Sequence, residues 1–108
     1  MRNANVKKNG SVDVLVSALC RDFPRREKAI RDGGASHRTL TEFRYLNFKI
    51  LEAVGEVVEA QYVMLYIKEI GENIGYANTK TEGLCEMAYK LRKKSIKENI
   101  AKKLHLLD

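Results

Sequence analysis

The sequence predicts an all-α fold, a single domain of four or five helices, on three observations. Apolar residues recur at three- and four-residue intervals over most of the chain, Ser or Thr stands three positions ahead of Glu at several places, and glycines punctuate the runs. A length of 108 residues supports one modest hydrophobic core and is too short for two ordinary domains. With 44% hydrophobic and 31% charged residues, the chain has the composition of a folded protein rather than a disordered one.

Residues 1–10 read as a flexible N-terminal tail, leaving residues 11–108 as the helical domain. From there Val12, Leu15, Val16, Leu19, Phe23 and Ile30 fall on one face at ~100° per residue, with Ser11 as a fair N-cap and Gly33-Gly34 as a stop. Pro24 removes an amide donor inside this stripe. Because the stripe keeps its phase from Leu19 to Ile30, a kinked continuation is favoured over two shorter helices.

Thr39 and Glu42 form a capping-box pair, so the next helix is expected to begin near Leu40. Leu40, Phe43, Leu46, Ile50, Leu51, Val54, Val57 and Val58 share its apolar arc, which makes it the surest core helix. Beyond Ala60 the phase changes, implying a turn near Glu59 to Gln61. The stripe Val63, Ile67, Ile70 and Ile74 then gives a third helix that ends at Ile74, with Gly75 as a left-handed C-cap.

A second capping box, Thr79 and Glu82, opens a helix through Leu84, Met87, Ala88 and Leu91. Ile96, Ile100, Leu104 and Leu107 lie more than a quarter turn from that face, and Ser95 with Glu98 repeats the capping pattern, which slightly favours a break near Lys94. The alternative is one unbroken helix whose second face, Cys85, Tyr89, Ile96 and Ile100, serves another helix or subunit.

The net charge of +6 is unevenly spread. Residues 1–39 carry nine Lys/Arg and four Asp/Glu, residues 40–76 three and six, and residues 77–108 eight and four. Two basic ends therefore flank an acidic middle, a field that favours polyanions or acidic partner surfaces. The amino terminus has neither the continuous apolar run nor the small-residue cleavage site of a signal peptide. The longest purely apolar stretch, Tyr62 to Ile67, is far short of the roughly 18 residues of a membrane span. A cytoplasmic address is expected. Cys20 and Cys85 are too few for a disulfide framework or a zinc site and are expected to be buried, reduced thiols.

Residues 70–84 match part of a helix-turn-helix. Gly71 is the small residue at a helix crossing, Ile70 and Ile74 are the apolar pins, Gly75 is the turn, and Leu84 anchors the second helix. Thr81 stands where Val or Ile normally locks that helix. Asn78, Thr79, Glu82 and Glu86 would then face a groove, where Asn and Thr can read bases or bind phosphate and two glutamates suit phosphate poorly unless one pairs with cytosine or is occupied in the cap. An ordinary helical hairpin with a glycine turn is the competing reading.

Between Tyr89 and Lys103 stand Lys90, Arg92, Lys93, Lys94, Lys97, Lys102 and Lys103 against one acid, Glu98. Such a helix suits phosphate contact through counterion release, although lysine-rich C-terminal helices also face water and complement the helix dipole. Arg21, Arg25 and Lys28 could extend the surface. The expected nucleic-acid contacts are Asn78, Thr79, Lys80, Lys90, Arg92, Lys93, Lys94 and Lys97. His37 and His105 have no metal-ligating or catalytic neighbours in the sequence, and Glu52, Glu56 and Glu59 read as a solvated acidic face. Tyr62 and Tyr66 read as packing or interface residues. No catalytic, metal or cofactor motif is present, so an enzyme is the least favoured class.

From Ser11-Val12-Asp13-Val14-Leu15, through Arg25 to Ile30 and Tyr45-Leu46-Asn47, to Ile74-Gly75-Tyr76 and Ala88 to His105, the chain resembles small uncharacterised helical proteins of Clostridium-like gut bacteria and their prophages. Its final forty residues more faintly resemble the last helix-turn-helix of sigma-factor-like phage regulators, from which Thr81 and the paired glutamates depart. The basic C-terminal helix and the partial helix-turn-helix together suggest a small bacterial or prophage DNA-binding or transcription-associated accessory protein, with double-stranded DNA as the expected partner. The alternative is a helical protein-interaction module, a homodimer through the C-terminal helix.

Overall fold

The computed structural model describes the backbone of residues 2–79 and 82–106, with side chains from residue 10 onward. The described residues form five helices and no strand: α1 (Arg2–Arg21), α2 (Phe23–Asp32), α3 (His37–Gly55), α4 (Ala60–Gly71) and α5 (Glu86–Lys103), with a single 3-10 turn at Tyr76–Asn78. The all-α fold class is as the sequence predicts. The first helix starts earlier than expected, because its backbone is already helical at Arg2, and Ser11 lies inside it.

At Pro24 the chain breaks rather than kinks. Asp22 keeps a helical backbone, its amide bonding to Ala18 and its carbonyl accepting from Arg26, yet α2 starts afresh at Phe23. This places Pro24 in the first turn of α2, where an amide has no intrahelical partner and its loss costs little. Gly33, at φ 67°, ends α2 in the left-handed conformation that glycine adopts without steric penalty.

The cap of α3 is Ser36, three residues ahead of the one expected. Its hydroxyl accepts from the Thr39 amide at 3.2 Å, so Thr39 is the receiving position and Glu42 lies a turn further on, 3.6 Å from Arg38. Such a cap contributes about 1 kcal/mol. α4 ends at Gly71, and the left-handed residue after it is Asn73 at φ 55°, not Gly75, whose φ of −85° is extended. The Ile74 amide reaches the Glu69 carbonyl at 2.9 Å and the Asn73 amide the Ile70 carbonyl at 3.4 Å, a Schellman ending.

α5 runs without a break through Lys94. Tyr89, Ile96, Ile100 and Ala101 face the core, while Met87 and Leu91, on the stripe expected to be inside, are 72% and 58% exposed. The core joins these residues to Val16, Cys20 and Phe23, to Ile50, Ala53 and Val54 of α3, and to Val63, Tyr66, Ile67 and Ile70 of α4. The second face that might have served another subunit is thus filled within one chain. Leu107 lies outside the described residues.

α1 packs most extensively on α4, α2 on α3, and α3 on α5. The extents of 42 × 39 × 21 Å describe a slab about two helix diameters thick. A slab has much face for its volume, and large apolar residues such as Val14, Phe48 and Met64 remain exposed on it. Between α2 and α3 the buried Arg26 guanidinium donates to Asn47 Oδ1 at 2.6 Å and to the Leu19 carbonyl. Asn47 Nδ2 in turn donates to the Phe23 carbonyl and to Glu27. Burial, outweighing the nearby Asp22 charge, lowers the Arg26 pKa.

Candidate nucleic-acid interface

Fourteen residue numbers, 72–85, separate α4 from α5, so no tight turn joins them and the compact hairpin of a helix-turn-helix is absent. Thr79 is extended and does not cap a helix, while Glu82 and Gly83 both take positive φ, 59° and 67°. α5 begins only at Glu86, after Cys85. Gly71 does mark a close helix crossing, but the partner is α1. A Cβ on Gly71 would lie 2.7 Å from the Arg21 nitrogen and 2.9 Å from the Cys20 carbonyl carbon.

Polar side chains hold the 72–85 connection down. Tyr89 donates its hydroxyl to Glu69 Oε1 at 2.7 Å, and the Thr79 hydroxyl lies 2.9 and 2.8 Å from the two Glu69 oxygens. Glu69 is only 6% exposed, so these partners replace the water it has lost. Beside this group, Tyr66 donates to Glu82 Oε1 at 2.7 Å, the same oxygen that faces Arg92 Nε at 3.2 Å. The Tyr66 and Tyr89 rings stack at 6.1 Å. Burial, reinforced by hydrogen bonds to the acids, raises both phenols, Tyr89 to about 12.

The expected site residues separate accordingly. Asn78 sits in the 3-10 turn with its amide on the Gly75 carbonyl, and Thr79 serves Glu69. Lys80 lies outside the described residues, as does Thr81. Arg92 faces Glu82 and donates to the Val57 carbonyl at 3.4 Å. Lys93 donates to the Ile74 carbonyl at 2.9 Å and stands over the Tyr89 ring. Burial first, and then the like charge of Lys97, lowers the Lys93 ammonium below the ordinary lysine value. Lys97 bridges to Asp13 on α1 at 3.2 Å. Lys90 is exposed, pairing with the equally solvated Glu86 at 2.9 Å, and Lys94 is exposed.

The remaining cations and acids are largely paired within the chain. Lys103 meets Glu52 at 3.5 Å and Glu56 at 2.6 Å, and Asn99 donates to Glu56 at 3.0 Å, so two of the three glutamates read as a solvated acidic face bind α5 instead. Arg21 donates to the Gly71 carbonyl, and Arg25 pairs with Asp22 and lies over Phe43. Arg25, whose pair is solvated on both sides, and Lys28 are exposed on α2. Cys20 is buried, with its thiol pushed up to about 12 by desolvation, whereas Cys85, expected to be buried, is exposed at the start of α5.

Four lysines nevertheless converge on one cavity. A groove of about 640 Å³ lies between α1 and α5. Val12, Val16, Ala101 and Tyr89 are among its apolar lining, with Gly75 and Tyr76, and Lys90, Lys93, Lys94 and Lys97 line it together with Asp13 and Glu98. Tyr76 is 37% exposed and its ring tilts against Tyr89 at 6.0 Å. Sequence reasoning found the lysines but missed Asp13, Val12 and Tyr76. No periodicity within α5 could show that α1 would lie alongside it.

Among the described residues, no three His, Cys, Asp or Glu side chains gather as a metal site, and no helix is long and apolar enough to cross a membrane. No protein-family model, curated protein or solved structure matches this chain.

Proposed function

We propose that this protein is a small bacterial or prophage accessory protein that binds nucleic acid through the basic face of α5, contacting phosphates without reading bases from a recognition helix. The observation that carries this reading is the convergence of Lys90, Lys93, Lys94 and Lys97 on one groove. Lys90 and Lys94, one helical turn apart and exposed, are the first contacts. The Lys90 pair with Glu86 is solvated on both sides and exchanges readily for phosphate. Lys97 would leave Asp13 only for a stronger anion, and Lys93 is anchored to the Ile74 carbonyl.

The test is a salt titration of binding to nucleic acid by wild type and Lys90→Glu/Lys94→Glu. The wild type should lose affinity steeply as salt rises, and the variant should lose at least tenfold at low salt with its helical signal intact. Unchanged affinity in the variant removes this face from the function. Lys93→Glu is a poor probe, because it would place a carboxylate against a backbone carbonyl.

A second reading, a helical interaction module that pairs with its own copy, rests on Met87 and Leu91. They are one turn apart on α5 and form an exposed apolar ridge. A dimer in light scattering that Met87→Lys/Leu91→Lys converts to monomer would favour it.

A further inference from the structure

We infer that the α1–α5 groove accepts an unstacked nucleotide, so that the nucleic acid held by this protein is single-stranded. This rests on the reading of α5 as a phosphate-binding face and names the class of strand that the face takes.

Three features of the groove carry the inference. Its volume of about 640 Å³ lies in the range of roughly 300–1,000 Å³ typical of cavities that bury a small organic ligand. Phosphate contact alone needs no cavity, since a duplex backbone is convex and rests on exposed cations. A base, in contrast, has an apolar face to bury. Val12 and Tyr76, both lining the groove, offer the surfaces it would cover. Tyr76 is 37% exposed and its ring tilts against that of Tyr89, whose own hydroxyl is tied to Glu69.

The charge pattern points the same way. Asp13 and Glu98 line the groove among the four lysines. Both carboxylates repel a phosphate, but both accept hydrogen bonds from the exocyclic amino groups of adenine, cytosine and guanine and from the ring N–H of guanine, thymine and uracil. In a duplex the ring N–H groups and one hydrogen of each exocyclic amino group are taken by base pairing. In a single strand they are free, and proteins that hold such strands combine a cationic track with an aromatic platform. The 72–85 connection between α4 and α5 is not the tight turn that sets a recognition helix in a major groove.

The experiment is fluorescence anisotropy at low salt with the 108-residue chain, using a labelled 12-nucleotide mixed-sequence single strand and the duplex of the same sequence. The single strand should bind about tenfold or more tightly than the duplex. Tyr76→Ala should remove about that preference and leave duplex binding unchanged, while Tyr76→Phe retains it. Equal affinity of wild type for the two forms overturns the inference whatever the variants do, and leaves the phosphate reading standing if Lys90→Glu/Lys94→Glu still weakens both. Absence of binding to either form overturns both readings together. A preference that survives in a Tyr76→Ala chain of unchanged helical signal also overturns the assignment of this groove.

Discussion

The α1–α4 crossing and the 72–85 connection meet at the same helix, α4, and are held by opposite means. At the crossing, Gly71 lets two backbones approach until no Cβ fits between them, and Val16, Cys20, Ile67 and Ile70 are buried around the contact. In the connection the backbone takes positive φ at Asn73, Glu82 and Gly83, and the buried Glu69 and half-buried Glu82 gather hydroxyls and a guanidinium. The crossing depends on shape, with close packing that forgives little added volume. The connection depends on hydrogen bonds whose partners must all be present, since a buried carboxylate left without one is costly.

Gly71→Ala breaks the crossing most directly. The new methyl group meets backbone atoms of Arg21 and Cys20, which cannot rotate aside, so α1 and α4 must separate. A loss of about 2–3 kcal/mol is expected, read as a lower urea midpoint. An unchanged midpoint would mean that the helices do not approach this closely.

A smaller effect is expected in the connection. Tyr66→Phe and Glu82→Ala should each cost about 1–2 kcal/mol, and because they act through one hydrogen bond their double variant should fall short of the sum. Strict additivity in a urea double-mutant cycle would show that the two groups do not work together. Glu82→Ala also leaves the left-handed backbone in place without the ties that hold it.

The least effect near neutral pH, and one that samples both regions, is alkaline destabilisation. The folded chain keeps the Cys20 and Tyr89 protons up to about pH 12, whereas the unfolded chain releases them from about pH 9 upward. The folded state then binds more protons than the unfolded one, so stability falls as pH rises between these values. The slope approaches about 1.4 kcal/mol per pH unit for each group. Urea midpoints measured from pH 8 to 11 should therefore decline, and Cys20→Ala should flatten the decline by the share that belongs to the crossing. A pH-independent midpoint would place both groups in water.

Where a local rule was sufficient, the sequence was legible. Gly33 ended α2 as expected because a left-handed stop needs no tertiary partner, and Ile50 and Val54 of the α3 stripe are in the core, while Leu51 between them is 38% exposed. Capping boxes were misread where several hydroxyls compete. Ser36 lies three residues before Thr39, and Thr79 has a buried acid to bind instead of an amide. The lysines of α5 were legible as a cluster, but their freedom was not. Arg92, Lys97 and Lys103 each meet an acid from elsewhere in the chain, so part of the basic end is matched by Glu82, Asp13 and the acidic α3.

By itself the sequence determined the all-α class and most of the α1, α3 and α4 stripes, Leu15 and Leu51 being the exposed exceptions, because side-chain period and glycine stops act within a few residues. Only the tertiary structure decided which of two stripes on α5 faces inward, because both have helical spacing and the choice depends on where α1 and α3 already lie. It likewise decided that Gly71 serves α1, that Thr79 and Glu82 anchor a connection, and that Val12 and Tyr76 join four lysines around one groove. Each of these is a contact between residues far apart in the chain, and no local pattern encodes it.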